Sequence, residues 1–253
     1  MMKRAVKRGW KPAVVLLTVL LLWEIFSSFF QIPEWLLPAP SQIWQAGIGG
    51  WEEFRPHLTA TIKLAVLGFV LGSLFGIVTA CCLHLLPLIR EAFYPLIILS
   101  QNIPIIVLAP LLVIWFGFGM LPKLIIIIVV CFFPIAVAAL DGFRQTDANL
   151  KHYMQMAGAN RWQVFQKLEW PYALPSVFSG LKIAATYSVM SAVIAEWLGA
   201  GEGIGVYMTL ASSSFQTDRV FVAIAYIMAL SLVFFAFINL LERIMIKWRP
   251  EGS

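Results

Sequence analysis

The sequence predicts an all-α membrane protein of six transmembrane helices with both termini on one side. Three observations carry this. The chain of 253 residues is 60% apolar and 12% charged, against roughly 45–50% and roughly 25% in a soluble domain. Its apolar residues sit in runs of about 20, the length a helix needs to cross a bilayer. Its basic residues gather beyond alternate runs, the pattern of basic loops kept on one side of a membrane. A net charge of +5 is then topology and not a nucleic-acid footprint, because no basic stripe with interleaved aromatics lies outside the runs. Cys81, Cys82 and Cys131 fall inside apolar runs and read as small lipid-phase residues, not as disulfides or metal ligands.

Residues 1–11 form a basic terminal segment, with Lys3, Arg4, Lys7, Arg8 and Lys11. The first span is PAVVLLTVLLLWEIFSSFF, residues 12–30. Its lone charge, Glu24, would cost about 2.5–3.5 kcal/mol at the bilayer centre, and the Leu and Val around it return a few tenths each. The stretch is long for a cleaved signal and no small-x-small site follows it, so a retained anchor is expected. Residues 31–57 read as an amphipathic connector, whose Trp35, Trp44 and Trp51 suit a membrane interface.

The main transmembrane unit is expected over residues 58–246. Span two, residues 58–86, carries Gly68, Gly72 and Gly76, a doubled G-x-x-x-G that lets another helix approach closely. Span three, residues 92–116, holds Pro95, Pro104 and Pro110 around Ser100-Gln101-Asn102. Prolines bend a helix, and irregular backbone at membrane depth is tolerated only against protein or a watery cavity. The polar trio is therefore placed on a pathway lining, the alternative being bonds to neighbouring helices. Span four is residues 121–140, with a kink expected at Pro134. Span five is residues 172–197, where Ala184, Tyr187, Ser188 and Ser191 share one side at helical spacing. Span six is residues 220–246, and residues 247–253 form a tail. Lys63, Lys182 and Glu196 lie near span ends and read as anchors or packing groups, although an intramembrane charge is a functional candidate by default. Lys182 is expected to snorkel.

With six spans, the segments on the side of the termini hold 13 of the 18 basic residues. That side is read as cytoplasmic, together with the loop of residues 141–171. In this loop Asp147 is placed to cap one helix, Gly158 to end it, and Asn160 to cap a second that stops at Pro171. Trp162 and Phe165, at i and i+3, either pack back on the spans or enter a partner's groove.

The loop's G-x9-L-x-W-P, Gly158 through Leu168 to Trp170-Pro171, resembles the signature E-A-A-x3-G-x9-I-x-L-P of binding-protein-dependent ABC importer permeases. The spacing matches from the glycine to the proline. His152, Tyr153 and Met154 stand at the E-A-A positions, and Trp170 replaces the Leu. LPAPSQIW, IPIIVLAPLLVIWFGFG and ALPSVFSGLKIA are similar to the taurine, sulfonate and nitrate branch, and IAEWLGAGEGIGVYM is most like permeases for pyrimidine precursors of thiamine. The resemblance implies a type I importer fold in a bacterial inner membrane. It implies a homodimer, two ATP-binding subunits that hold ATP and Mg, and an extracytoplasmic solute-binding protein. Ala157, Gly158, Ala159, Asn160, Arg161 and Phe165 would couple to the ATPases. The substrate would be a thiamine-pyrimidine precursor, with sulfonate, taurine, nitrate or a riboflavin-like solute as the alternative.

Absences point the same way. The chain has no G-x-x-x-x-G-K-[ST] phosphate loop, and no H-E-x-x-H, G-x-S-x-G or Cys/His cluster. No enzymatic activity and no cofactor of its own are expected. The glycines of GAGEGIG, residues 199–205, read as a turn or a short re-entrant segment. An ion-coupled transporter would need titratable groups at mid-membrane, and the groups there are Ser, Gln and Asn.

Overall fold

In the computed structural model, which describes residues 2–199 and 201–247, eleven helices follow one another with no strand among the described residues. They are α1 (Met2–Phe29), α2 (Pro40–Gly49), α3 (Trp51–Leu85), α4 (Pro87–Ser100), α5 (Ile105–Phe116), α6 (Met120–Arg144), α7 (Ala148–Met156), α8 (Arg161–Val164), α9 (Trp170–Glu196), α10 (Ile204–Ser213) and α11 (Thr217–Met245). Five of the runs are long and apolar enough to cross a membrane. Residues 248–253, most of the expected tail, lie outside the described residues.

The sixth crossing is made of two pieces. The expected bent helix over residues 92–116 is instead α4 and α5, separated at Gln101–Pro104. Pro104 has no N–H to give and disfavours helical backbone at Ile103. Asn102 and Ile103 fall back on i−3 carbonyls, those of Leu99 and Ser100. Ile97 of α4 clusters with Leu140 and Phe143 at the end of α6. Ala109 and Leu112 of α5 cluster with Ile126 near its start. The two short helices therefore run antiparallel to α6 and together cover its depth.

The core lies where α3, α6 and α9 meet. Glycines set how closely they approach. A Cβ on Gly68 would stand 2.4 Å from Ile127 Cγ2, one on Gly72 2.7 Å from Cys131 Cβ and 2.9 Å from the Ile128 carbonyl oxygen, and one on Gly76 3.0 Å from the Phe132 carbonyl oxygen. All these neighbours belong to α6. Gly142 and Gly180 do the same between α6 and α9, and Gly180 faces the carbonyl of Pro134, through which α6 runs unbroken. Lipid supplies no hydrophobic drive between helices, so this closeness is the source of packing energy. Gly72→Leu should lower the thermal midpoint of the detergent-solubilised protein by several degrees, an overpacking cost of about 1–3 kcal/mol. Gly49→Leu, with no atom within 4 Å of the added Cβ, should leave it in place.

Glu24, Lys182 and Glu196 find definite partners. Glu24 accepts from the backbone N–H (3.0 Å) and the hydroxyl (2.7 Å) of Ser41, so it serves the positive end of α2. Lys182 does not snorkel freely. Its Nζ lies 2.8 Å from Glu242 Oε2 and ties α9 to α11. Lys63 is exposed on α3. The connector is shorter than expected, because α3 already begins at Trp51, with Glu52 and Glu53 in its first turn.

Glu196, 2% exposed, sits in a hydrogen-bonded knot at the far end of α9. It accepts from Thr61 Oγ1 at 2.7 Å and from the Gly205 N–H at 2.8 Å. The Ile204 N–H donates to Thr61 Oγ1 at 2.8 Å, and the Gly203 N–H to His57 Nδ1 at 3.1 Å. The knot starts α10, a short apolar helix whose Ile204 and Tyr207 are buried with Phe54, Val193 and Ala223. The glycine-rich stretch is a turn leading into α10. A turn enters a helix too short to cross a membrane. Ala200 lies outside the described residues.

Candidate functional site

At the end of the bundle that carries Arg90, Arg144, Lys151, Arg161 and Lys167, α7 and α8 form an elbow. The Asn149 N–H donates to Asp147 Oδ1 at 2.8 Å and begins α7. Gly158 ends it with φ at +85°, in the left-handed region that costs glycine little. The N–H groups of Gly158 and Ala159 return to the carbonyls of Gln155 and Met154, each at 3.0 Å, which satisfies the last turn. Asn160 and Gln163 then cap each other reciprocally. The Gln163 N–H donates to Asn160 Oδ1 and the Asn160 N–H to Gln163 Oε1, both at 2.9 Å. Each cap of this kind contributes about 1 kcal/mol, and together they make a corner of fixed shape from Ala157 to Arg161.

The second helix does not stop at Pro171. It passes through a π-helical turn, Phe165–Glu169, directly into α9. The Trp170 N–H reaches the Phe165 carbonyl, five residues back instead of four. The wider turn falls just ahead of Pro171, which sits in the first turn of α9, where its missing N–H is tolerated. The elbow is thus the beginning of the fourth of the five long crossings and not a separate appendage.

Trp162 and Phe165 take opposite roles. Phe165 is 7% exposed, its ring centroid 5.5 Å from that of Phe143 on α6 and 5.9 Å from that of His84 on α3. Glu169, also buried, lies 2.7 Å from both His84 Nε2 and Lys151 Nζ. Arg161 donates to the His84 carbonyl at 3.5 Å. Together, α3, α6, α7 and α9 are clamped on one aromatic and ionic cluster. His84 and Glu169 are 85 positions apart, so no local spacing reveals the cluster. On the outer side Tyr153, Met156 and Trp162 are exposed by 68, 70 and 57%, and Ala157, Gly158 and Arg161 are exposed beside them.

The second feature is a cavity of about 520 Å³ at mid-membrane, where Gln101 from the break in the third crossing meets Tyr187 and Ser191 of α9, with Val130, Phe133 and Pro134 of α6. The remaining polar candidates lie off its lining. Ser100 and Asn102 donate to the Ile97 and Ile98 carbonyls of their own helix. Ser188 is fully buried and donates to the Ala185 carbonyl, while Ala184 packs in the core. The polar side of α9 straddles the boundary between cavity and core, so only Tyr187 and Ser191, one turn apart, reach the opening. Among the described residues no group of His, Cys, Asp and Glu is placed to hold a metal ion.

Residues 72–247, from within α3 through α11 and so including the elbow, match the model of the binding-protein-dependent transport system inner membrane component family. The chain belongs to that family. It is the permease subunit of an ABC importer, a multi-pass inner membrane protein. It is 35% identical to the formylaminopyrimidine transport permease protein ThiX of Halalkalibacterium halodurans, over 99% of this chain and all of the relative. It is 30% identical to the riboflavin transport system permease protein RibX of Chloroflexus aurantiacus, over 98% of this chain and 95% of that one. The taurine transport system permease protein TauC of Escherichia coli is 31% identical over 94% of this chain and 88% of its own.

Proposed function

We infer that this permease carries a pyrimidine precursor of thiamine inward, driven by two separate ATP-binding subunits that dock on the elbow. ATP and Mg belong to those subunits. The observation that carries the reading is the two-sided elbow. Its outer side presents Tyr153, Met156 and Trp162 to water, an apolar patch of the kind that marks an interaction site. Its inner side bolts Phe165 and Glu169 onto the crossings α6 and α3 and onto α7. Closure of the ATPases would displace Ala157–Arg161, and the displacement would pass through Phe165 to α3 and α6 without being absorbed by a loose loop.

The basic face is the cytoplasmic one, by the bias of Lys and Arg. Two copies enclose the pathway, because Gln101, Tyr187 and Ser191 open sideways from a single bundle, and an amide or hydroxyl facing lipid tails would be costly. A solute-binding protein delivers substrate at the α10 end. The pyrimidine assignment rests on the full-length likeness to ThiX.

Co-purification tests the reading. The ATPase encoded with this permease should co-elute with it, and the complex in proteoliposomes should take up formylaminopyrimidine only with ATP and the loaded binding protein. Gly158→Trp, which forces a bulky residue to +85°, should lose uptake at least tenfold. Uptake by the permease alone without ATP would overturn the assignment.

A further inference from the structure

Gln101, Tyr187 and Ser191 come from two crossings that sequence leaves unrelated, and the tertiary structure brings them to one opening at mid-membrane. We propose that this cavity is a transit subsite for an uncharged, planar heterocycle, with Gln101 as its specificity-determining side chain. The proposal rests on the importer reading above and refines the substrate class of that same pathway.

The lining carries no charged side chain among the described residues. The span charges with partners sit elsewhere, Lys182 on Glu242 and Glu196 on Thr61 and Gly205. An anion at this depth would leave water with no cation to offset the loss, and a desolvated, unpaired charge is strongly disfavoured. A neutral polar solute meets no such barrier. The volume, about 520 Å³, lies within the range of small-molecule sites and admits a one-ring or two-ring solute.

Gln101 supplies the recognition. Its carboxamide offers two donors and an acceptor, the pair that matches a ring nitrogen beside an exocyclic amine or carbonyl, as Gln reads an adenine edge. Among the described residues that carboxamide has no hydrogen-bond partner within the protein, whereas its neighbours Ser100 and Asn102 are bonded to their own helix. Phe133 and Tyr187, both on the wall, provide aromatic surfaces for stacking, and Ser191 adds a hydroxyl. Gln101 is the last residue to bond back into α4, through its N–H to the Ile97 carbonyl, and the break that begins there leaves its side chain on the cavity wall.

The test uses the full complex of permease, ATPases and binding protein in proteoliposomes, with radiolabelled formylaminopyrimidine, riboflavin and taurine as probes. Wild type should take up at least one of the two neutral ring compounds and not taurine. Gln101→Leu should cut that uptake about ten- to a hundredfold, as expected when a bound polar edge loses its partner. Gln101→Asn, which keeps the amide, should recover part of it. If Gln101→Leu fails to co-elute with its partners, the double variant Tyr187→Phe, Ser191→Ala takes its place, with the same loss expected. Undiminished uptake in the assembled variant overturns the proposal and leaves the importer reading standing. Uptake of riboflavin instead of the pyrimidine upholds the proposal and removes the pyrimidine assignment. Uptake of taurine alone overturns both. A complex that moves no probe, or works without ATP, removes the importer reading and the proposal with it.

Discussion

Replacing Ala157-Gly158-Ala159-Asn160 by Gly-Ser-Gly-Gly should reduce ATP-driven uptake by at least tenfold while the permease still co-elutes with its ATPase. The substitution leaves the outward side chains Tyr153, Met156 and Trp162 in place, so the docking chemistry remains. It removes the fixed corner. Ser at position 158 meets a φ of +85°, a region that costs a non-glycine residue about 1–2 kcal/mol. Gly at position 160 removes the Oδ1 that accepts from the Gln163 N–H, and each added glycine widens the unfolded ensemble. The loop would then flex where the native elbow pushes. ATP hydrolysis without transport is the predicted signature, measured as phosphate released per solute accumulated. Full uptake through the flexible tether would mean that force reaches the bundle by another route. Phe165→Ala then probes the same path from inside, since it empties the space beside the stacked His84 and Phe143 rings without touching the outer face.

Gly203→Val should prevent the protein from accumulating in the membrane, the largest stability effect expected of any single substitution here. Two independent costs add. Gly203 has φ at +135°, in a region that is essentially restricted to glycine. A Cβ there would stand 2.2 Å from the carboxyl carbon of Glu196. The side chain would have to push that carboxylate off Thr61 and the Gly205 N–H, leaving buried polar groups without partners at about 1–3 kcal/mol apiece, and the start of α10 would go with them. Gly201→Val is the control. No atom lies within 4 Å of its added Cβ, and it should express as wild type. Membrane abundance by immunoblot separates the two, and equal abundance would show that the knot is not needed for α10 to form.

Much of this architecture is legible in residue order because its causes are local or one-dimensional. A crossing helix is announced by some twenty apolar residues, and Asp147, Gly158 and Asn160 announce the elbow because caps act within four positions of themselves. The spacing of Gly68, Gly72 and Gly76 announces a close helix face for the same reason. Gly142 and Gly180 do equivalent work without any spacing to betray them, since each faces another helix alone. The end of α8 was open to misreading for a related reason. Pro171 looks like a stop, and the preceding π turn that accommodates it has no sequence mark. Trp162 and Phe165 share a face in projection, yet a single turn of helix takes one from solvent to core.

The sequence by itself determined that this chain lives in a membrane, where its long apolar helices lie, and where its elbow bends. Those properties follow from hydrophobicity and backbone preference, which each residue carries with it. Only the tertiary structure decided that His84, Phe143, Lys151 and Glu169 clamp the elbow, that Glu196 anchors a glycine turn, and that Gln101 shares an opening with Tyr187 and Ser191. Such partners are joined by helix packing across tens of residues of chain, and packing depends on which faces meet, a choice made by the whole bundle together.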